Sequence, residues 1–185
     1  MSLRWLPNAI CVIRVLLVVP LVAALLDEHY GLALGLLIVA GGSDAVDGFL
    51  AKTFDWRTRL GGLLDPAADK ILIGSVFVTL TYLGIVPLVL AVIVVLRDVV
   101  IVLGSLAYHF LIEPLEGQPA AISKLNTACQ LAFVLFALTD VAYGWPGAPV
   151  LVPLGAAVVF TSITSGLTYV LRWSRRAWQA SHARA

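Results

Sequence analysis

The sequence contains little charge. Only 12% of its 185 residues are Asp, Glu, Lys or Arg, whereas 61% are hydrophobic. Soluble globular domains are typically about 25% charged, so this composition excludes an ordinary soluble domain. Basic and acidic residues nearly cancel, giving a formal net charge of +1. We expect no nucleic-acid partner.

Cysteine is also scarce. Cys11 and Cys129 both lie in apolar stretches, so the sequence indicates no disulfide framework. We find no internal repeat and no low-complexity segment. A cleavable signal is not expected either, because the first apolar run belongs to a repeating helix pattern. The prediction is therefore a single domain, residues 1–185, without a soluble appendage.

Long apolar stretches fill most of the chain. A membrane-spanning helix needs about 20 mostly apolar residues, and six stretches qualify. We expect these helices at Leu6–Leu26, from about Tyr30, from Gly61 to about Leu83, from Pro87 to about Leu111, from Ser123, and from Val150 to about Leu171. Ser123 is the expected N-cap of the fifth helix, and a basic, aromatic tail follows the sixth.

The positions of the charges predict a topology. Lys and Arg fall in the N-terminal stretch, the helices, alternate loops and the C-terminal tail, whereas the other loops carry Asp27, Glu28 and Asp140. Cytoplasmic loops of membrane proteins are enriched in Lys and Arg. The prediction is an all-α integral membrane protein with six transmembrane helices and both termini in the cytoplasm.

Acidic side chains concentrate in one short region. Asp44 and Asp47 are three residues apart, and Asp65 and Asp69 are four apart, so each pair lies on one face of a helix. The loop between the pairs can return the chain, and at the usual helical rise both pairs lie about 6 to 13 Å from it. We therefore expect Asp47 to face Asp65, and Asp44 to face Asp69.

Four converging carboxylates in a low-dielectric place would repel one another or take up protons. Two divalent cations would remove that repulsion, and paired metals support phosphoryl chemistry. The alternative is a set of ordinary capping and surface acids near helix ends. Such acids would not need Gly48, Ala51 and Gly61, small residues that let two helices approach closely enough to share an ion.

The full pattern from Asp44 to Asp69 is D-x2-D-G-x2-A-K-x8-G-x3-D-x3-D. It resembles the signature of the CDP-alcohol phosphotransferases, integral membrane enzymes of phospholipid synthesis. One position departs, because Lys52 stands where the signature usually has arginine. This difference keeps the charge but replaces a guanidinium that can donate two parallel hydrogen bonds by an ammonium. The resemblance extends from about Leu6 to the end of the sixth helix.

The resemblance implies a reaction and a site. An alcohol would displace CMP from a CDP-linked lipid by direct in-line transfer. Asp44, Asp47, Asp65 and Asp69 would hold two divalent cations, Mg²⁺ or Mn²⁺, and Asp69 would also accept the proton of the alcohol. The expected CDP-binding residues are Asn8, Asp47, Gly48, Ala51, Lys52, Arg57 and Gly61. For Arg57 the alternative is a loop cation that merely follows the positive-inside rule.

Charged and polar residues within the apolar stretches predict the acceptor site. Arg14 either reaches the membrane interface with its charged head or faces inward toward an anion, and the neighbouring aspartates favour the inward role. Arg97 and Asp98 lie near the middle of the fourth helix, where charges are costly and usually functional. We expect Arg97 to contact the acceptor phosphate and Asp98 to orient the Arg97 side chain. The alternative is that Arg97 and Asp98 form an internal ion pair that fixes helix packing. Lys124 and Asn126 are further expected acceptor contacts.

The segment 122–130, ISKLNTACQ, indicates the acceptor. It is similar to the I-S-K-x-N-T-x-x-Q stretch of the cardiolipin synthases of mitochondrial type, and Arg97-Asp98 also matches that branch. The phosphatidylglycerophosphate synthases commonly have Arg-Glu there and Gly-Lys in place of Ser123-Lys124. The resemblance implies transfer of a phosphatidyl group from CDP-diacylglycerol to phosphatidylglycerol. The alternatives are glycerol-3-phosphate as the acceptor, a divalent-cation transporter, and a structural membrane protein.

The resemblance also implies an assembly and a location. We expect a homodimer in the lipid bilayer with one active site per chain, because family members form homodimers and the helices are rich in small residues. The expected location is the bacterial inner (cytoplasmic) membrane, with the active site facing the cytoplasm.

Overall fold

The computed structural model describes residues 6–53, 61–111 and 121–182, with side chains over 11–43, 68–104 and 122–171. Within these residues the regular structure is entirely α-helical, which confirms the predicted all-α class. The six helices are α1 (Leu6–Leu26), α2 (Tyr30–Thr53), α3 (Gly61–Tyr82), α4 (Leu88–Leu111), α5 (Ala121–Tyr143) and α6 (Ala148–His182).

Two predicted helix boundaries are wrong. α5 begins at Ala121, so Ser123 lies inside the first turn and is not the N-cap. Alanine has the highest helix propensity, and Ala120-Ala121 precedes Ser123 in the sequence. α6 continues to His182, so the backbone of the predicted basic tail is helical beyond Leu171. No Gly or Pro occurs between these two residues to end the helix.

The helices form two compact units. The first contains residues Met1–Val86 and Val134–Leu151, in which α1 packs against both α2 and α3. Its core consists of large apolar side chains, including Leu21, Leu25, Leu37, Phe77 and Leu80. This packing places α1 beside the two helices that carry the aspartate motif.

A tight turn joins α5 to α6 in the first unit. Asp140 accepts a hydrogen bond from the backbone N–H of Gly147 at 2.7 Å, and the Asp140 carbonyl accepts one from Gly144. Both glycines have positive φ angles, a conformation that costs glycine little. The ring of Trp145 packs edge-on against Phe136.

The second unit contains residues Pro87–Phe133 and Val152–Ala185. It combines α4 with the first part of α5 and most of α6. At Gly155, an added Cβ atom would lie only 3.3 Å from side-chain atoms of Leu90 and Phe133. Glycine at this position therefore permits close packing of the three helices.

Apolar side chains cover much of the surface. In α1, Val12, Ile13, Leu16 and Val19 are exposed whereas Arg14 is buried. Exposed apolar residues around a buried charge are typical of a helix in lipid.

Two helical segments among the described residues are long and apolar enough to cross a membrane, Ile122–Tyr143 and Ala148–Leu171. Cys11–Leu26 and Tyr30–Ser43 are shorter apolar segments. These segments support a membrane protein. The six-span topology and the cytoplasmic termini stay predictions.

Candidate active site

The aspartate motif lies on α2 and α3. Asp44 and Asp47 belong to α2, and Asp65 and Asp69 belong to α3, so all four have the helical backbone that their spacing predicts. The side chains of the first three lie outside the described ones, and the predicted facing of the pairs is not tested. Within the described side chains, no group of three or more Asp, Glu, His or Cys could hold a metal ion.

The side-chain surroundings of the predicted CDP-binding residues also lie outside the described part of the structure. Arg57 belongs to the segment between α2 and α3 that the structure does not describe. The others have helical backbones, but their side-chain surroundings are outside the described part: Asn8 in α1, Gly48, Ala51 and Lys52 in α2, and Gly61 in α3. Their roles stay predictions.

Asp69 contacts a buried arginine. The Nη1 atom of Arg14 donates a hydrogen bond to Asp69 Oδ1 at 2.7 Å, which joins α1 to α3. The Arg14 side chain is 0% exposed, whereas the Asp69 side chain is 32% exposed. Arg14 therefore faces inward, as favoured from the sequence.

The two side chains of this ion pair differ in their exposure. Buried charges are costly unless they are paired, and the carboxylate of Asp69 provides such a partner for Arg14. Because one-third of the Asp69 side chain is exposed, a ligand can approach it directly. Arg14 is then placed to hold the carboxylate from the buried side.

A second buried arginine connects three helices. Arg97, in α4, donates from Nη1 to Asp98 Oδ1 at 2.5 Å. Its Nη2 atom donates to the hydroxyl of Ser123 in α5 at 2.7 Å and to that of Ser165 in α6 at 2.6 Å. The guanidinium thus has hydrogen-bond partners on its own helix and on two others.

The Arg97 contacts agree with both sequence interpretations. Asp98 contacts Arg97, as an orienting role requires. The bonds to Ser123 and Ser165 also tie the helices together, as the packing alternative requires. The Nε atom of Arg97 is buried and has no hydrogen-bond partner in the described part of the chain. Contact with an acceptor phosphate stays a prediction.

Asn126 lies on the same face of α5, one turn after Ser123. Its side chain is fully buried, and its Oδ1 atom accepts hydrogen bonds from Thr161 at 2.9 Å and Ser162 at 2.8 Å. Its Nδ2 atom lacks a partner among the residues whose side chains are described. The predicted contact residue Lys124 is exposed, and its contact with the acceptor stays a prediction.

Gln130 is a candidate that the sequence reasoning missed. It lies one turn beyond Asn126 and is 2% exposed, and its Nε2 atom also has no partner within the described structure. The available signal was its position four residues after Asn126, since residues four apart share a helix face.

Comparison with known proteins decides the family. The sequence model of the CDP-alcohol phosphatidyltransferase family matches residues 4–170, which include the aspartate motif and the Arg97 contacts. The chain belongs to this family. The predicted resemblance is confirmed, and the phosphatidyltransferase class is confirmed at the level of the family. CDP-alcohol phosphatidyltransferases are membrane proteins and generally use divalent metal ions.

Three relatives illustrate the range of similar proteins. The CMP-forming cardiolipin synthase of Homo sapiens is 32% identical over 181 residues, covering 88% of this chain and 60% of the relative. The corresponding protein of Streptomyces coelicolor is 36% identical over 117 residues, covering 62% and 53%. The chloroplastic CDP-diacylglycerol–glycerol-3-phosphate 3-phosphatidyltransferase 1 of Oryza sativa is 34% identical over 137 residues, covering 65% and 42%. The chain spans about 60% of the length of the human family member.

Proposed function

We propose that the protein transfers a phosphatidyl group from CDP-diacylglycerol to phosphatidylglycerol, forming cardiolipin and CMP. The observation that carries this proposal is the hydrogen-bonded unit of Arg97, Asp98 and Ser123. Asp98 and Ser123 are the positions at which the sequence resembles cardiolipin synthases rather than phosphatidylglycerophosphate synthases. Both contact the same buried guanidinium. The names of the human and Streptomyces relatives support the same reaction.

The reaction needs one bond formed and one broken. The acceptor hydroxyl oxygen bonds to the phosphorus atom that carries diacylglycerol. The bond from that phosphorus to the bridging oxygen of the pyrophosphate breaks, and CMP leaves with that oxygen. Asp69 accepts the hydroxyl proton as general base.

Arg14 holds Asp69 in position for this proton transfer. Its 2.7 Å hydrogen bond restrains one carboxylate oxygen, while the exposed part of the side chain is open to the substrate. The sequence predicts Arg14 as an acceptor contact, but its guanidinium donates to the carboxylate of Asp69. A positioning role agrees better with this ion pair.

We propose that Asp44, Asp47, Asp65 and Asp69 hold two divalent cations, Mg²⁺ or Mn²⁺. The donor chemistry fits, because hard divalent cations prefer carboxylate oxygens. When bound, the cations would stabilise negative charge on the attacking and departing oxygens. The proposed CDP contacts are those expected from the sequence, with Lys52 neutralising phosphate charge.

The proposed acceptor contacts are Arg97, Asn126 and Lys124. Arg97 is the proposed partner of its phosphodiester, since Nε is a buried donor without a described partner and a buried N–H is costly to leave unpaired. Asn126 supplies a second such donor. Lys124 is exposed and would attract the anionic head group from the surface.

We further propose six transmembrane helices with both termini and the active site on the cytoplasmic side, a homodimer, and the bacterial inner membrane as the location. The distribution of basic residues supports the orientation, and the Streptomyces relative supports the bacterial location.

The test is an acceptor comparison with purified protein. CDP-diacylglycerol and Mg²⁺ or Mn²⁺ are supplied with either phosphatidylglycerol or glycerol-3-phosphate, and CMP and the lipid product are measured. We expect cardiolipin and almost no use of glycerol-3-phosphate. Faster formation of phosphatidylglycerophosphate would refute the acceptor assignment. The rice relative supports this second candidate, whereas family membership argues against a cation transporter.

A further inference from the structure

Polar side chains form a continuous strip inside the second unit. Residues 123, 126 and 130 are spaced three and four apart, so they follow one face of α5. Hydrogen bonds connect this face to α6 directly, through Asn126, and indirectly, through Arg97. We call the following six residues the polar strip: Ser123, Asn126, Gln130, Thr161, Ser162 and Ser165.

The polar strip has a partly exposed end and an apolar end. Ser123 is partly exposed, whereas Asn126 and Gln130 are buried. Seven residues of helix correspond to a depth of about 10 Å. Beyond Gln130, Phe133 packs with Leu90 at Gly155. Ser123 therefore marks the end of the polar strip nearer the surface, and Phe133 marks the apolar end.

Two donors of the polar strip lack acceptors. Asn126 Nδ2 and Gln130 Nε2 are buried without hydrogen-bond partners in the described chain, although such groups are nearly always paired in native structures. Exchanging the oxygen and nitrogen of either amide would leave an oxygen unpaired instead. A hydroxyl group can accept two hydrogen bonds and donate one, so it can accept from both amide nitrogens, or accept from one amide and donate to the other.

We propose that Asn126 and Gln130 bind the hydroxyl group that a glycerol unit carries next to its reacting hydroxyl, while Arg97 holds the phosphate of the same unit. This rests on the proposed function and deepens it. A phosphate-bearing glycerol unit occurs both in phosphatidylglycerol and in glycerol-3-phosphate. The two amides would therefore select the glycerol unit in either acceptor. The acceptor comparison described above distinguishes phosphatidylglycerol from glycerol-3-phosphate.

The experiment compares acceptors with and without the middle hydroxyl. Phosphatidylglycerol is paired with phosphatidyl-1,3-propanediol, and glycerol-3-phosphate with 3-hydroxypropyl phosphate. For each pair, kcat/KM for CMP release is measured with the wild-type protein and the Gln130→Met and Asn126→Leu variants. Thr164→Val is the matched control, because it removes a hydroxyl on α6 that bonds to its own helix at Phe160.

The wild-type protein should prefer the hydroxylated acceptor by roughly tenfold or more, since its absence leaves buried amides unpaired. Gln130→Met should reduce this preference to about threefold or less. Its thermal midpoint should stay the same or rise, because an unpaired buried donor has been removed. Thr164→Val should retain the wild-type preference.

Several results would overturn the inference. One is a wild-type protein that uses both members of a pair equally well. Another is a Gln130→Met variant that loses activity equally with both members, which is the outcome of a purely structural role. If Asn126→Leu does not fold, Gln130→Met decides alone. Failure of the proposed function gives a different result. If CMP is released only with the glycerol-3-phosphate pair, the proposed function is refuted. If CMP is released with neither pair, both proposals are refuted.

Discussion

Replacement of Arg97 separates its two possible roles. The guanidinium contacts Asp98, Ser123 and Ser165, so removing it disturbs both helix packing and any bound phosphate. Arg97→Ala also leaves the Asp98 carboxylate without this partner. We therefore compare this variant with the double variant Arg97→Met/Asp98→Asn, which removes both charges and retains most of the side-chain volume.

The loss of stability and the loss of acceptor binding have different expected sizes. Breaking a buried ion pair by removing one partner costs about 3–5 kcal/mol of stability, so Arg97→Ala should be strongly destabilised. Replacing both charges is often neutral, and the double variant should fold. Loss of a charged contact to a partly desolvated phosphate costs about 2–5 kcal/mol. Use of phosphatidylglycerol by the double variant should therefore fall roughly 30-fold or more.

The measurements are thermal unfolding in detergent, kcat/KM for phosphatidylglycerol, and the affinity for CDP-diacylglycerol. If Arg97 contacts the acceptor, the double variant should unfold near the wild-type temperature and bind CDP-diacylglycerol normally, yet use phosphatidylglycerol poorly. A double variant that folds and uses phosphatidylglycerol within about threefold of wild type, well under 1 kcal/mol, would refute the contact. The packing interpretation would then be sufficient.

Three further predictions concern the first unit and the assembly. Asp65→Asn, or excess chelator with the wild-type protein, should abolish CMP release while the protein still inserts; normal turnover in either case contradicts the two-metal site. Arg14→Ala should lower kcat roughly 100-fold with little change in KM for CDP-diacylglycerol, and Arg14→Lys should restore part of it. An unchanged kcat, or a rise in KM alone, would argue against positioning of Asp69. Mass measurement in nanodiscs should give a dimer, and a monomer as the sole active species would contradict the homodimer.

The helices could be predicted largely from local sequence, because the lengths of the apolar stretches and the turn residues determine where they occur. α1 has the predicted bounds, and α3 ends one residue before the predicted Leu83. The errors arose where a residue preference was weighed without its neighbours. Ser123 is a good N-cap in isolation, but the alanines before it extend the helix.

The candidate site was predictable only as far as its contacts are local. Asp98 follows Arg97 directly, and that pair was expected from the sequence. The bond from Arg97 to Ser165 joins residues 68 positions apart, and no helical period relates them. It depends on how α4 and α6 pack. The same limit applies to Arg14, for which the sequence favoured an inward direction but not Asp69 as the particular carboxylate.

The two buried arginines have different partners. Arg14 pairs with a partly exposed carboxylate that belongs to the catalytic motif, so its charge acts through Asp69. Arg97 pairs with a neighbour on its own helix and with two hydroxyls. The charge of Arg97 is therefore paired within α4, and its two serine partners orient the guanidinium toward α5 and α6. In the proposed reaction Arg14 acts through Asp69, whereas Arg97 contacts the acceptor itself.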